Sequence, residues 1–202
     1  MANAASTETN EARIVEIARA HVRRFGHQRM TVVGVAADAG MTHANIYRYF
    51  PSKMALLDEV VASGLRPLEA RLREAADGTD PAHDKLERML TAVHRDYRAR
   101  LDDDPTLFDL LVEALVKNRP SARKHRSRVQ AEIQRVLEEG IAAGAFAMTD
   151  RRRAMSLIFD AAHRFIHPVA LQLDRDASAH ALAQRFETVL SMMLRTLKAG
   201  RL

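Results

Sequence analysis

The chain has 202 residues, a formal net charge of +5 and no cysteine, and this length suits one compact domain or a small domain fused to a larger one. The lack of cysteine excludes disulfides and thiolate metal sites. Residues 1–10 lack the features of a signal peptide and no run of about 18 apolar residues occurs, so we expect a cytoplasmic protein without a membrane partner.

The positive charge favours a polyanionic partner. However, residues 1–60 carry seven Lys or Arg against six Asp or Glu, so charge alone does not locate a binding site.

An apolar stripe at helical spacing predicts a first helix that ends at Gly26. Its apolar positions are Ile14, Ile17, Ala18, His21, Val22 and Phe25. We expect this face to support the two helices that follow, with His21 as a hydrogen-bonded core histidine. The outer face carries Arg13, Arg23 and Arg24, which are expected to be solvated.

Residues 31–57 predict two short helices joined by a tight turn. Thr31 caps the first helix, and Gly40 supplies the left-handed residue that ends it. Thr42 caps the second helix, and Pro51 follows its last turn. A helix, a turn containing glycine and a second capped helix make the helix-turn-helix pattern.

The second of these helices is expected to bury Ile46 and Phe50, which are one turn apart. The rest of its surface carries His43, Asn45, Tyr47, Arg48 and Tyr49. This exposed set is rich in hydrogen-bond donors and aromatic rings and has no carboxylate, which suits phosphates and base edges.

The same stretch resembles the DNA-binding signature of TetR-type transcriptional regulators. The resemblance rests on Val-Ala-Ala-Asp-Ala-Gly-Met-Thr at residues 35–42 and on Ile-Tyr-Arg-Tyr-Phe-Pro-Ser-Lys-Met-Ala-Leu-Leu at residues 46–57. It implies an all-α protein in which residues 1–60 form an N-terminal three-helix DNA-binding domain with a helix-turn-helix. Residues 61–202 would then form a larger helical domain for ligand binding and dimerisation.

The resemblance also implies a role for individual residues. The DNA-binding set is Thr31, Val33, Thr42, His43, Ala44, Asn45, Tyr47, Arg48, Tyr49 and Lys53. Thr42 would bond a phosphate from its capping position, and Thr31 and Lys53 would do so at the neighbouring helix starts. Tyr47 and Tyr49 would lie against the sugar-phosphate backbone.

Three residues of the second helix, His43, Ala44 and Asn45, would face the major groove, where the amide of Asn45 can read an adenine edge. The sequence departs from the family pattern in two ways. Ala44 stands where glycine is frequent, and Val32 and Val33 stand where polar residues are frequent. Where it faces the groove, Val33 can meet only thymine methyl groups. Phosphate contacts are therefore the firmer expectation.

Beyond this motif the apolar periodicity predicts helices only. Ser52 caps a long helix that runs to a break at residues 77–81, and Pro67 inside it is expected to kink or split it. Asp150 caps a late helix that has Pro168 near its far end. The apolar positions of the helices after the break fall at residues 86–101, 107–116, 129–141, 155–166 and 182–197.

The last two long helices have more apolar surface than one small core needs. In the resembled family these helices form a four-helix dimer interface, here assigned to Phe165, Ile166, Phe186, Val189, Leu190 and Met193. A homodimer also follows from geometry, because two recognition helices must reach half-sites roughly 34–36 Å apart.

The resemblance further implies a small apolar or amphipathic effector in the C-terminal domain. The candidate pocket residues are Met89, Val93, Tyr97, Phe108, Leu111, Phe159 and His163. Such an effector would bind one arrangement of the two recognition helices better than the other and so change DNA affinity. The expected function is a repressor of this kind, bound to a palindromic operator in double-stranded DNA.

Other interpretations remain open. His163 and His167 are one turn apart and Asp160 precedes them, as in di-iron bundles, but a second such unit is missing, so neither a metal nor a cofactor is predicted. Residues 119–128 and 151–153 are rich in arginine and are expected to be solvated surface, with a second anion site as the alternative. No catalytic residue is predicted. The competing functions are a helical-bundle enzyme, a DNA-independent interaction module, and a TetR-like regulator without an inducer.

Overall fold

The computed structural model describes residues 2–200, with side chains from Asn10 onward. Every regular element in this part of the chain is an α-helix, which confirms the predicted fold class. The helices are α1 Ala2–Arg29, α2 Val32–Asp38, α3 His43–Tyr49, α4 Lys53–Asp77, α5 Ala82–Asp103, α6 Pro105–Val116, α7 Pro120–Ala142, α8 Arg151–Ile166, α9 Pro168–Leu173 and α10 Ala179–Ala199. None of the helices so described is both long enough and apolar enough to cross a membrane.

These helices form two compact units. The first unit is the chain up to Leu65 together with Asp104–Lys124, and the second is Arg66–Asp103 together with the chain from His125 onward. The units thus group α6 with the N-terminal helices, although it lies in the middle of the sequence. The functional boundary between residues 60 and 61 stays a prediction.

In the first unit α1 supplies the apolar surface on which α2 and α6 pack, and α3 packs on α2. Ile14, Ala18 and Val22 are fully buried, and the backbone leaves the helical region at Gly26 with φ 77°, as predicted for its end. Arg23 of α1 donates from Nε to a carboxylate oxygen of Asp104 at 2.5 Å, so this arginine is not merely solvated. Asp104 in turn caps α6, which packs against α1.

Local capping signals set the ends of α2 and α3. The hydroxyl of Thr31 accepts a hydrogen bond from the Gly34 amide at 3.1 Å, and that of Thr42 accepts one from the Asn45 amide at 3.3 Å. Gly40 adopts φ 63° between the two helices. All three predictions are confirmed, since each depends only on residues within one turn.

The long helix α4 begins where Ser52 accepts a hydrogen bond from the Ala55 amide, as predicted. It continues through Pro67 as a single helix, so the expected split is absent. A proline inside a helix costs about 3 kcal/mol. Leu65, Leu68 and Leu72 around it are buried, and burial of each contributes about 1.5–3 kcal/mol, which outweighs that cost.

In the second unit α10 packs against both α8 and α5. Asp150 caps α8 as predicted, by accepting from the Arg153 amide at 3.1 Å. Pro168 does more than end α8: it opens the short helix α9, which was not predicted. Proline suits the first turn of a helix because the amide it lacks has no helical partner there.

Candidate functional site

The surface of α3 is divided between packing and exposure as its sequence predicted. Ile46 is completely buried and Phe50 is 5% exposed, so these two residues attach the helix to its unit. Of the ten residues assigned to DNA, eight are exposed, while Tyr49 and Lys53 are half-buried. The structure therefore leaves most of the assigned residues exposed, and those of α3 itself form a polar and aromatic surface.

Within that surface the side chains already contact one another and the unit beneath. The rings of His43 and Tyr47 meet edge to face with their centroids 4.7 Å apart. Lys53 donates from Nζ to the carbonyl of Gln28 at 2.8 Å. An ammonium group has three donors, so this bond leaves two donors for a phosphate and holds the charge in place.

Two polar contacts from α1 fix the position of α2. Arg13 donates from Nη2 to the carbonyl of Ala39 at 2.7 Å, and Nε2 of His21 lies 2.6 Å from a carboxylate oxygen of Asp38. The first bond satisfies a carbonyl at the end of α2, where the helix itself offers no partner. His21 is thus the hydrogen-bonded core histidine that was predicted. Arg13 is exposed as expected, but its bond to Ala39 was not predicted.

Another contact that sequence reasoning missed fastens the start of α4. Arg119, just before α7, is buried and donates from Nη2 to the carbonyl of Met54 at 2.5 Å and from Nε to Asp58 at 3.2 Å. The hydroxyl of Ser121 binds the same carboxylate. Arg119 is therefore not solvated surface, while the arginines at residues 151–153 are exposed as expected.

The seven residues predicted to bind an effector do not all lie in one unit. Met89, Val93 and Tyr97 are buried on α5 of the second unit, where Phe159 of α8 is half-buried and His163 is exposed. The remaining two, Phe108 and Leu111, are buried on α6 of the first unit. That all seven share one pocket stays a prediction.

Tyr97 belongs to a chain of buried hydrogen bonds that joins three helices of the second unit. Its hydroxyl lies 2.6 Å from Nε2 of His125, and Nδ1 of His125 lies 2.8 Å from a carboxylate oxygen of Glu69. Arg128 donates to the other carboxylate oxygen at 2.6 Å. In the neutral ring Nδ1 donates to Glu69 and Nε2 accepts from Tyr97, which satisfies all three groups.

The protonation states of Tyr97, His125 and Glu69 follow from their burial and hydrogen bonds. Burial lowers the pKa of His125 despite its carboxylate partner, and it raises the pKa of Tyr97. Burial also raises the pKa of Glu69, but hydrogen bonds from His125 and Arg128 outweigh it, so the net shift is downward. At neutral pH these hydrogen-bonded groups are therefore a neutral tyrosine, a neutral histidine and a carboxylate.

A groove in the second unit was not predicted. It lies between α5 and α10 and has a volume of about 690 Å³. None of the seven residues assigned to the effector lines it, although Phe186 and Leu190, assigned to the dimer interface, do. The sequence signal for it is weak because its two faces mix charged with apolar side chains.

The residues assigned to a dimer interface are mostly core residues of one subunit. Phe165, Ile166, Phe186, Leu190 and Met193 are buried within the single chain, and only Val189 is half-buried. The rings of Phe165 and Phe186, for example, lie 5.4 Å apart between α8 and α10. Apolar periodicity indicated correctly that these faces are buried, and Phe165 and Phe186 contact each other within one subunit. That these residues form a dimer interface stays a prediction.

The structure also shows the positions of the two histidines at the end of α8, His163 within the helix and His167 directly after it. The rings of His163 and His167 stack with centroids 4.6 Å apart, and Nδ1 of His167 is buried without a hydrogen-bond partner. Burial lowers the pKa of His167, and the neighbouring His163 lowers it further. Among the side chains of residues 10–200, no group of three or more His, Cys, Asp or Glu is arranged to hold a metal ion.

Comparison with known proteins gives two family matches. Residues 14–60 match the bacterial regulatory proteins of the tetR family, and residues 82–190 match the tetracyclin repressor-like C-terminal domain. The HTH-type transcriptional repressor KstR of Rhodococcus jostii (strain RHA1) is 27% identical over 187 residues, which is 90% of this chain and 81% of that protein.

Solved structures share the fold at lower sequence identity. The transcriptional regulator FadR from Bacillus subtilis, in complex with stearoyl-CoA, superposes with a TM-score of 0.65 at 20% identity, covering 91% of this chain and 97% of that one. RolR in complex with resorcinol gives a TM-score of 0.64 at 18% identity, covering 96% and 90%. The C-terminal match alone spans more than half of the sequence, and the chain therefore belongs to the TetR family of ligand-responsive, DNA-binding transcriptional regulators.

Proposed function

We propose that this regulator is a homodimeric repressor that binds a palindromic operator through the exposed face of α3 and releases it when a small effector binds. The single observation that carries this proposal is the division of α3. Its two large apolar residues, Ile46 and Phe50, are buried, and its donors and rings face outward together. An exposed face is usual for a helix packed on one side, but this face carries donors and rings and no carboxylate, which suits phosphates and base edges. Because an operator lies on the chromosome, we expect the protein to act in the cytoplasm.

The roles of single residues follow the exposed surface. Asn45 and His43 would reach base edges in the major groove, where an amide pairs well with adenine. Arg48 and Lys53 would neutralise phosphates, and Tyr47 would lie against the backbone. Val33, 62% exposed, is available for a thymine methyl group.

We place the dimer interface on the parts of α8 and α10 that remain open in one subunit. Met192 of α10 is 63% exposed, and Val189 beside it and Phe159 of α8 are half-buried. Apolar side chains left open on α8 and α10, the last two long helices of the chain, suit an interface between copies.

The proposed effector is a small apolar or amphipathic molecule. The similar proteins FadR and RolR have been crystallised with stearoyl-CoA and resorcinol, and the relative KstR is described as a repressor. The alternative of a regulator without an inducer predicts that no small molecule releases the protein from its DNA.

The test is binding of the purified full chain to labelled DNA from upstream of its own gene, at about 50 to 200 mM salt. We expect a selective complex with two chains per site that weakens steeply with salt. Arg48→Ala should weaken it and reduce the salt dependence by about one released counterion. Arg152→Ala, the same change at an exposed arginine of α8, is the matched control and should leave affinity unchanged.

The interaction-module alternative makes the opposite prediction for the aromatic residue of α3. Under our proposal Tyr47→Ala weakens DNA binding markedly. If Arg48→Ala and Tyr47→Ala both bind DNA as well as the unchanged protein, α3 is not the reading helix and the proposal fails.

A further inference from the structure

The groove between α5 and α10 has the size and lining of a small-molecule site. Its volume of about 690 Å³ lies within the range of roughly 300–1,000 Å³ typical of ligand pockets. Phe186, Leu190 and Leu194 of α10 supply an apolar wall, and Ala99 and Ala183 leave the space open. All of these residues belong to the second unit.

One buried polar side chain lines this groove. His94 is 5% exposed, and its Nδ1 lies 2.8 Å from the carbonyl oxygen of Phe165. A carbonyl can only accept, so Nδ1 carries the proton and Nε2 of the neutral ring holds a free lone pair. The Phe186 ring stacks on His94 with centroids 4.5 Å apart, which fixes the orientation of the imidazole.

The lone pair on Nε2 has no protein partner among the described side chains and backbone. It is not sealed in a closed space either, unlike Nδ1 of His167. Because the ring lines the groove, Nε2 opens onto it as an acceptor. Burial lowers the pKa of His94, and Arg98 and Arg95 lower it further, so the ring stays neutral at physiological pH.

The charges at the groove are mixed, with one more cation than carboxylate. The charged lining residues are the cations Arg95, Arg98, Arg195 and Lys198 and the carboxylates Glu87, Asp102 and Glu187. Arg98 and Asp102 pair with each other at 2.8 Å. A ligand carboxylate would nevertheless place an acceptor against an acceptor at Nε2. The acceptor Nε2 of His94 therefore favours a ligand that donates a hydrogen bond.

We propose that this groove is the effector site and that it takes an apolar small molecule with a hydroxyl group, whose O–H donates to Nε2 of His94. The inference rests on the proposed function, in which an effector exists, and adds the place of its site and its chemical class. It moves the site away from the residues chosen from sequence, such as His163 of α8.

The test compares two probes that differ in one donor: 4-butylphenol and its methyl ether, 4-butylanisole. Each is titrated by calorimetry into the full chain without DNA, so the result does not depend on operator binding. We expect one phenol per chain and at least about tenfold weaker binding of the ether, the cost of one unpaired buried acceptor. Octanoate, an apolar anion, is titrated in the same way. Failure of the phenol to bind, equal binding of the phenol and its ether, or tighter binding of octanoate than of the phenol would each overturn the proposal.

Three variants locate the site. His94→Phe keeps a ring but removes the acceptor, so it should reduce phenol affinity about tenfold and bind both probes alike. Ala183→Phe fills the groove while keeping His94, so it should abolish binding of both probes even if His94→Phe proves poorly folded. His163→Phe is the matched control and should bind the phenol normally. Loss of binding in His163→Phe with none in Ala183→Phe would place the ligand elsewhere and refute the inference.

Discussion

Replacing Tyr97 by phenylalanine tests the buried hydrogen-bond chain of the second unit. The change removes only the hydroxyl that binds His125, and both side chains are almost completely buried. Water cannot replace the lost partner of a buried acceptor, and leaving one unpaired costs about 1–3 kcal/mol. We therefore expect the free energy of unfolding to fall by that amount at pH 7.5.

The assay is urea unfolding followed by circular dichroism at fixed protein concentration. For a chain of this length the same loss corresponds to a decrease in melting temperature of about 2–4 °C per kcal/mol. Tyr47→Phe makes the same chemical change at an exposed tyrosine of α3 and should alter stability by less than about 0.5 kcal/mol. If Tyr97→Phe is as stable as the unchanged protein, the hydroxyl does not satisfy His125 and the reasoning is refuted.

Three further predictions concern the same fold. Gly140→Ala should lower the free energy of unfolding by about 1–3 kcal/mol, because its new Cβ would lie 2.3 Å from the buried ring of Phe146; Gly78→Ala, where the nearest atom is 3.4 Å away, is the control in thermal unfolding. Thr42→Ala should cost about 0.5–2 kcal/mol by removing the cap of α3, whereas Thr42→Ser should restore most of it in the same urea titration. Stability should fall as the pH drops from 7.5 to 5.5, since burial lowers the pKa of the three histidines His94, His125 and His167; below about 6.5, the ordinary pKa of histidine, the unfolded chain then binds more protons than the folded one. Equal free energies of unfolding at the two pH values would contradict this last prediction.

Features that depend on neighbouring residues were predictable from the sequence. The caps formed by Thr31, Thr42, Ser52 and Asp150 each use an amide three residues away, so the pattern contains both partners. The exposed face of α3 followed equally well, because burying one side of a helix leaves the other side open.

Features that depend on distant partners were not predictable. The contact of Arg13 with the carbonyl of Ala39 and that of Arg119 with Asp58 join residues far apart in the chain, and an arginine looks the same in sequence whether bound or solvated. The α5–α10 groove and the burial of Phe186 within one subunit were not predictable for the same reason. Helical periodicity indicates that a face is covered but not which helix covers it, nor where two helices leave a space.

Under the proposed function, the contacts that hold α2 against α1 limit how the DNA preference of this regulator can be redesigned. His43, Asn45 and Arg48 can be exchanged singly, because Ile46 carries the packing of α3 and none of the three is buried. Transplanting residues 31–57 as a block into another regulator is expected to need a further change. The grafted helices would leave behind the guanidinium of Arg13 that binds the end of α2, so an acceptor scaffold must supply an equivalent donor from its own first helix.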